Sequence, residues 1–447
     1  MSSHSLSLLD RCSEALDAAR AQGAEHAEVA GEALRRVTAT ISKHDLQITQ
    51  SHRETMLGVR VLDRGRLGFA CTNNPENVAQ ICSDALSIAT ASPADEHNVL
   101  PSMIESPAIE GLYDEAAVSF STEDVVRQAI RMLEVAADVD SRVILGDAEF
   151  IATVSERALV NSQGVRREER GSVFTYFALA TAREGDVVSN FDFQFDASRS
   201  VSGIDVEPIT RRASENALGS LGAQPGETFK GPVILAPVAG LFVLTSLIGF
   251  QANGMNVFRG MSRWGDQVGK TVASEMVTLV DDGTLPGGVS TSGFDREGVP
   301  HRRLTLIEGG TLTGLFHNTY SAHALGTSST GHAEGSPRTI PSVGGTNLEI
   351  LPGERTKDDL VSEMKRGLLV TRFSGNTNPI TGDFSGVAKG AYLIRDGKIE
   401  RPVAGTLIAG NAFEALKGIS GLSKEQERVF NCTLPFIRLE DVSVTAG

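Results

Sequence analysis

Cysteine is scarce and unpatterned: Cys12, Cys71, Cys82 and Cys432 show no CxxC spacing. That excludes a zinc ribbon and a disulfide framework, and suits a reducing compartment, the cytoplasm by default. Positive charge is also short. Lys and Arg total 41 against 56 Asp and Glu, a net charge of -15. Such a surface repels phosphate backbones and anionic lipid, so direct nucleic-acid binding is not expected. The opening MSSHSLSLLDRCSEALDAAR lacks the basic region, apolar core and small-residue cleavage site of a secretory signal. No repeat of about 20 to 50 residues recurs, which argues against solenoids and propellers.

Catalytic motifs are missing in the same way. A serine-hydrolase elbow needs GxSxG, and the nearest strings, GMSRWG and KGISGLS, have other spacings. A phosphate loop needs four residues between its first glycine and GK[ST], whereas GDQVGKT has three. Helical zinc hydrolases set a glutamate beside the first of two histidines, and no His-Glu dipeptide occurs in the chain.

One long apolar run is present. Gly231 to Phe258 carries no charge, close to the ~20 residues of a spanning helix. Pro237, Gly240 and Gly249 interrupt it, Thr245 and Ser246 are polar, and Arg259 and Arg263 flank one side only. The pattern predicts a strand, Val233 to Leu235, running into a buried helix, and no membrane span.

With 447 residues, two or three domains are expected. Ser7 to Arg20 repeats apolar residues at helical spacing and stops near Gly23, and from Glu28 to Ala70 the period becomes two, with a hairpin at Asp63-Arg64-Gly65. Pro75 to Ala91 is again helical. The polar stretch Ser92 to Val118 is read as a boundary, after which Ser121 and Asp124 predict a capping box, strands cover Val143 to Val160, Val165 to Ala182 and Asp186 to Phe195, and a helix covers Val206 to Leu221. Beyond Gly226 the chain is rich in glycine and strand, with hairpins turning on Gly309-Gly310 and Asp396-Gly397 and a helix over about Lys357 to Lys365. The expected architecture is α+β: an N-terminal unit (1–95), a middle unit (118–222) and a large, mainly β C-terminal domain (226–447).

Two clusters bear metal-ligating side chains. His317, His323 and His332 lie near Glu334, though at no standard zinc spacing, so hydrogen-bonding or surface roles are expected for them. Asp281, Asp282, Asp295 and Glu297 flank the loop GTLPGGVSTSGF and offer oxygen ligands for a hard cation, with turn formation beside glycine the simpler account.

The run LVDDGTLPGGVSTSGFDREGVPHRRLTLIEGGTLTGLFHNTYSAHALGTSSTGHA resembles the signature of the TldD/PmbA family, once labelled modulators of DNA gyrase, and the likeness extends from AEVAGEALRRVTATISKHDLQITQ to TGDFSGVAKGAYLIRDGKIERPV and LIAGNAFEAL. The resemblance implies a metallopeptidase-related protein. Catalytic TldD-type members carry an HExxxH zinc helix just after the strand that reads PVILAP here, and a further ligand from a C-terminal cysteine. At that place this chain reads VAGLFVLTSLIGFQANG, so no catalytic or metal-binding residue carries over, and Cys432 alone falls short of the about three ligands a catalytic zinc needs.

The resemblance therefore points to the PmbA, or TldE, branch: a dimer-forming, non-catalytic partner of a TldD-like zinc subunit, acting on short or unfolded peptides, with no cofactor in this chain and zinc only in the partner. A strand-rich domain offers backbone edges to an extended peptide. The positions favoured for such contacts are Asn253, the turn Thr330-Gly331-His332, and Asn347. Two alternatives stay open: a stand-alone metal-dependent peptidase built on His317, His323 and His332 or on the aspartates, and a homo-oligomeric peptide-binding protein.

Overall fold

The computed structural model describes residues 6–106 and 108–447; the first five residues, where the stretch read as lacking a secretory signal begins, lie outside them. Helix α1 (Leu8–Ala21) starts at Ser7, whose hydroxyl accepts from the Asp10 amide, and buries Leu8, Leu9, Cys12, Ala15, Leu16 and Ala19, the apolar positions of the sequence pattern. Strands β1 (His26–Ser42), β2 (Asp45–Asp63) and β3 (Arg66–Thr72) follow. Both residues of the β2–β3 turn, Arg64 and Gly65, have positive φ (51° and 75°), as a twisted two-residue hairpin demands. Next come α2 (Val78–Ala91) and α3 (Thr122–Val139), the latter opened by the expected capping box of Ser121 and Asp124. Strands β4 (Val143–Asn161), β5 (Arg166–Glu184), β6 (Val187–Val188) and β7 (Asp192–Ser198) and helix α4 (Glu207–Gly219) complete this half.

The helix-plus-hairpin theme occurs twice, yet the strands form one sheet. β1 pairs antiparallel with β4 from Glu28↔Asn161 to Ser42↔Asp147, giving the order β3-β2-β1-β4-β5, with β6 and β7 both on β5. Alternation assigns the faces. Ala27, Val29, Leu57, Val59, Val61, Ala158 and Val160 pack against α1 and α2. Val37, Ala39, Ile41, Phe150, Phe174 and Tyr176 share a cluster with apolar residues of α3 and α4. The residues between them, Glu28, Ala30, Gly58, Arg60, Arg157 and Leu159, meet loops of the C-terminal half.

That half contains β8 (Gln224–Pro225), β9 (Phe229–Leu235), α5 (Pro237–Gly240), a π-helical turn (Leu241–Thr245), α6 (Ser246–Ala252) and α7 (Gly254–Phe258). β10 (Leu279–Asp282), β11 (Arg303–Glu308), β12 (Thr311–Leu312), α8 (Thr319–Ala324), β13 (Ala333–Glu334), β14 (Ser342–Val343) and β15 (Leu348–Ile350) come next. The chain ends in α9 (Lys357–Ser362), β16 (Arg366–Thr377), β17 (Asp383–Arg395), β18 (Lys398–Ala404), β19 (Leu407–Asn411), α10 (Ala412–Lys417), β20 (Ile419–Val429) and β21 (Cys432–Thr445).

The pairings β9–β16, β16–β17, β17–β19, β19–β21 and β21–β9 close a ring. Closure leaves those strands without an edge along the paired stretch. The hairpins β11–β12 and β17–β18 turn where the sequence placed them, on Gly309-Gly310 and Asp396-Gly397. The uncharged run becomes β9 and the α5–α6 segment. Pro237 sits in its first turn, where a missing N–H costs nothing, and Leu241, Val243, Leu244, Leu247 and Ile248 enter the main core. Among the described residues no helix is long and apolar enough to cross a membrane.

Candidate functional site

Where the first sheet meets the C-terminal loops, four charges are buried together. Arg60 Nη2 donates to Glu28 Oε2 at 2.7 Å and Arg60 Nη1 to Glu297 Oε1 at 2.9 Å, while Arg296 Nη1 reaches Glu28 Oε1 at 2.9 Å. Glu297 Oε2 also accepts from the Thr319 amide at 2.7 Å. Two acids and two guanidinium groups cancel, which is what allows such a cluster to be dry. It links β1 and β2 to the turn after Phe294 and to the start of α8.

Beside this cluster lies a cavity of about 330 Å³ between β1, β4 and the loops at 290–301 and 332–346, lined in part by Arg157, Ser292, Asp295, His301 and His332. The volume suits a small ligand or a few peptide residues. Asp295 accepts from the amides of Glu297 (2.8 Å), Val299 (3.0 Å) and Ala333 (3.0 Å), and burial followed by the neighbouring Glu297 raises its carboxyl above the ordinary range. His332 is clamped at both nitrogens: Nε2 lies 3.1 Å from Asp281 Oδ1, and Nδ1 lies 2.8 Å from Thr330 Oγ1 and 3.0 Å from the Thr330 carbonyl. Asp281 is held in turn by the amide of Thr346 at 2.8 Å and by its hydroxyl.

The structure brings His317 and His332 into one buried neighbourhood but not His323. His317 Nδ1 meets Ser321 Oγ at 3.3 Å, whereas His323 points away, its Nδ1 3.3 Å from that of His97 in the 92–118 connection. Glu334 is exposed and accepts from Ser342 Oγ at 3.1 Å. The four carboxylates of the other cluster are likewise dispersed, Asp282 to the amide and hydroxyl of Thr284 and the rest to the partners above. Among the described residues no group of three His, Cys, Asp or Glu side chains is placed to hold a metal ion. The Cys432 thiol is pushed up to about 12 by burial and then by Asp281, so it is a neutral packing group at neutral pH.

The remaining sequence-favoured positions are structural in their visible contacts. Asn253 caps α7, its Oδ1 accepting from Met255 and Asn256, and its Nδ2 donates to the Val343 carbonyl at 2.8 Å. Asn347 accepts from the Ser290 amide and donates to the Asp282 carbonyl (2.7 Å) and Thr291 Oγ1 (3.0 Å). Gly331 has φ of 74° and a Cβ there would lie 2.4 Å from the Pro300 carbonyl oxygen, so the turn admits only glycine. Sequence reasoning missed His301 and Arg157. His301 lines the cavity with a buried Nδ1 that has no hydrogen-bond partner among the described residues, and Arg157 Nη1 donates to Ser292 Oγ at 3.1 Å. Alternation along β4 sets Arg157 opposite the helix-facing residues, but only the loops it meets make that face a site.

His301 and His317 are both lowered to about 4, by burial first and then by His332. An unfolded histidine titrates near 6.5, so between about pH 6.5 and 4 the unfolded chain binds protons that the native state refuses, and stability falls as pH falls through that window. Asp295 acts in the opposite sense, since a raised carboxyl favours the native state at low pH. His317→Gln is therefore expected to flatten the loss of Tm between pH 7 and 4.5 by about 2–3 °C relative to the parent; an unchanged slope in a scanning-calorimetry series would refute the assignment.

Three family models match: PmbA/TldA metallopeptidase domain 1 over residues 27–89, the central domain over 116–221 and the C-terminal domain over 228–446. A protein named "Metalloprotease" from Methanothermobacter thermautotrophicus is 26% identical over 90% of this chain and 88% of its own length. "Metalloprotease PmbA" of Escherichia coli O157:H7 is 25% identical, covering 94% and 92%. The solved structure of TldE from Thermococcus kodakarensis superposes with a TM-score of 0.89 at 27% identity, covering 97% of this chain and all of that one.

Proposed function

We propose that this chain, which belongs to the PmbA/TldD metallopeptidase family, is a non-catalytic, PmbA- or TldE-like cytoplasmic subunit that pairs with a TldD-like zinc peptidase and helps bind short or unfolded peptides. The observation that carries the reading is the segment after β9: α5, the π-helical turn and α6 contain no His, Asp, Glu or Cys. A zinc helix would need two such ligands on one face. Here the exposed positions of that segment are Phe242, Ser246 and Gly249. The likeness to TldE supports the same branch.

In this reading the chain supplies walls and contacts, and the partner supplies the zinc. The cavity beside Asp295 and His301 is one place for peptide to lodge, with His332 in its wall, the Thr330-Gly331 turn holding that imidazole, and Asn253 and Asn347 fixing neighbouring loops. Peptide pairing to a strand needs an edge outside the closed ring. The test is elemental mass spectrometry on protein made in zinc-supplemented cells, joined to co-expression with an HExxxH-bearing relative from the same genome. The expected outcome is substoichiometric zinc and no peptidase activity for the chain alone, with both gained in a co-purifying complex. Stoichiometric zinc that is lost on mutating His332 would overturn it.

A further inference from the structure

Arg372, on β16, is only 2% exposed, yet none of its three guanidinium nitrogens has a hydrogen-bond partner among the described residues. A buried guanidinium carries five N–H donors, and leaving them unpaired in a dry site is costly. Its cross-strand partner on β17 is Lys389, so two cations share one face of the hairpin, and like charges directly opposite are unfavourable. The acid nearest in effect, Asp192, is also buried, but makes no ion pair with Arg372 within 4.0 Å among the described residues; it accepts from Gln194 Nε2 at 2.8 Å. Burial is the first cause that holds Arg372 down to about 10 and Asp192 up to about 6, the latter against hydrogen bonds from Gln194 and Asn216. Among the described residues, Lys389 Nζ donates to Asn190 Oδ1 alone, at 3.4 Å.

The geometry also says which side of the guanidinium is taken. Its carbon lies 3.4 Å from the Phe191 ring centroid and 5.5 Å from that of Phe193. Phe191 lies over the guanidinium carbon and Phe193 flanks it, while the buried N–H groups keep a fork that matches a carboxylate through two parallel hydrogen bonds. Phe191 is 37% exposed and covers the group from solvent. Phe193 in turn contacts Phe242 edge-on, centroids 6.1 Å apart. Phe242 is on the exposed face of the helix that replaces a zinc helix in the reading above, so the cation pair borders the place where a peptide would run.

We propose that Arg372 and Lys389 form a carboxylate-binding subsite beneath Phe191 that takes the C-terminal carboxylate of a short peptide. The proposal rests on the peptide-binding reading of this chain and adds to it a polarity, with the peptide C-terminus at the Phe191 end and its last side chain against Phe191 and Phe242.

The test uses the full chain and fluorescence anisotropy with three N-terminally labelled probes: Ala-Ala-Ala-Leu with a free C-terminus, the same peptide as its C-terminal amide, and Ala-Ala-Glu-Leu amide. The free acid is expected to bind at least about tenfold more tightly than either amide, the loss of one charge-assisted pair. Arg372→Met is expected to abolish the preference and Lys389→Met to reduce it. Should Arg372→Met fail to fold, Arg372→Lys, which keeps the charge without the planar fork, is expected to retain a native Tm and lose most of the preference. Equal binding of acid and amide by the parent would overturn the subsite and leave peptide binding standing. A glutamyl amide that binds as well as the free acid would overturn the C-terminal assignment. Binding of neither form would overturn the subsite and count against peptide binding by this chain alone.

Discussion

Arg60→Met is expected to destabilise the protein by about 3–5 kcal/mol, the range for removing one member of a buried ion cluster. The guanidinium satisfies Glu28 and Glu297 at once. Methionine fills a similar volume but leaves Glu28 with Arg296 alone, while Glu297 keeps the Thr319 amide and lacks a cation within 4.0 Å among the described residues. The cost is one of uncompensated burial, so neutralising the orphan should restore part of it. Glu297→Gln in the Arg60→Met background is expected to be more stable than Arg60→Met alone, whereas in the parent the same change should destabilise. A urea-denaturation double-mutant cycle reads this sign reversal. A cost below about 1 kcal/mol for Arg60→Met would mean that water reaches the cluster and that it does not fasten the first sheet to the C-terminal loops.

Local chemistry was legible in the sequence wherever neighbours along the chain decide the outcome. The Ser121–Asp124 capping box, the Arg64-Gly65 turn, the amphipathic α1 and the hairpins on Gly309-Gly310 and Asp396-Gly397 all rest on contacts within a few residues. The uncharged run behaved as its proline and glycines required. What could not be read is pairing at a distance. The β1–β4 register joins residues more than a hundred positions apart and fuses two apparent units into one sheet, and closure of the C-terminal ring depends on β19 meeting both β17 and β21. Strand periodicity assigns faces and is silent on partners.

The same limit applies to the site. His317, His323 and His332 are close in sequence, but helix α8 carries His323 toward His97, whereas the loop between α8 and β13 brings His332 to Asp281. The hydrogen-bonding roles expected from their non-standard spacing are the ones seen, and the alternative metal group is dispersed by the chain path. The absence of His, Asp, Glu and Cys from the segment after β9 is, by contrast, visible in sequence alone. The buried Arg372 had no such signal. An arginine in a strand is commonplace, and only the aromatic rings and the opposed Lys389 make it unusual.

Gly58→Ala tests the same interface from its backbone. Gly58 has ordinary strand conformation, so its role is close approach: a Cβ built on it would lie 2.0 Å from the carbonyl oxygen of Pro337 and 3.3 Å from Phe69 Cε2. Pro337 lines the cavity, two residues beyond the left-handed Gly335. The added methyl cannot be absorbed by a side-chain rotation, because the atom it meets is backbone, so the 335–337 loop must retreat from β2 by more than an ångström. A loss of about 3 kcal/mol is expected, the upper part of the overpacking range. Gly249→Ala is the opposite case: the residue is inside α6 with no atom within 4 Å of the added methyl, and helix propensity alone predicts a gain of about 0.5–1 kcal/mol. Both alanines remove the same backbone freedom from the unfolded chain, and only that at Gly58 meets a backbone atom, so a large loss there beside a gain at Gly249 would locate the cost at the contact between β2 and the cavity loop. A Gly58→Ala variant as stable as the parent would mean that the loop yields freely. The cavity beside it would then be an adjustable wall, and peptide affinity rather than stability would be the quantity that this substitution changes.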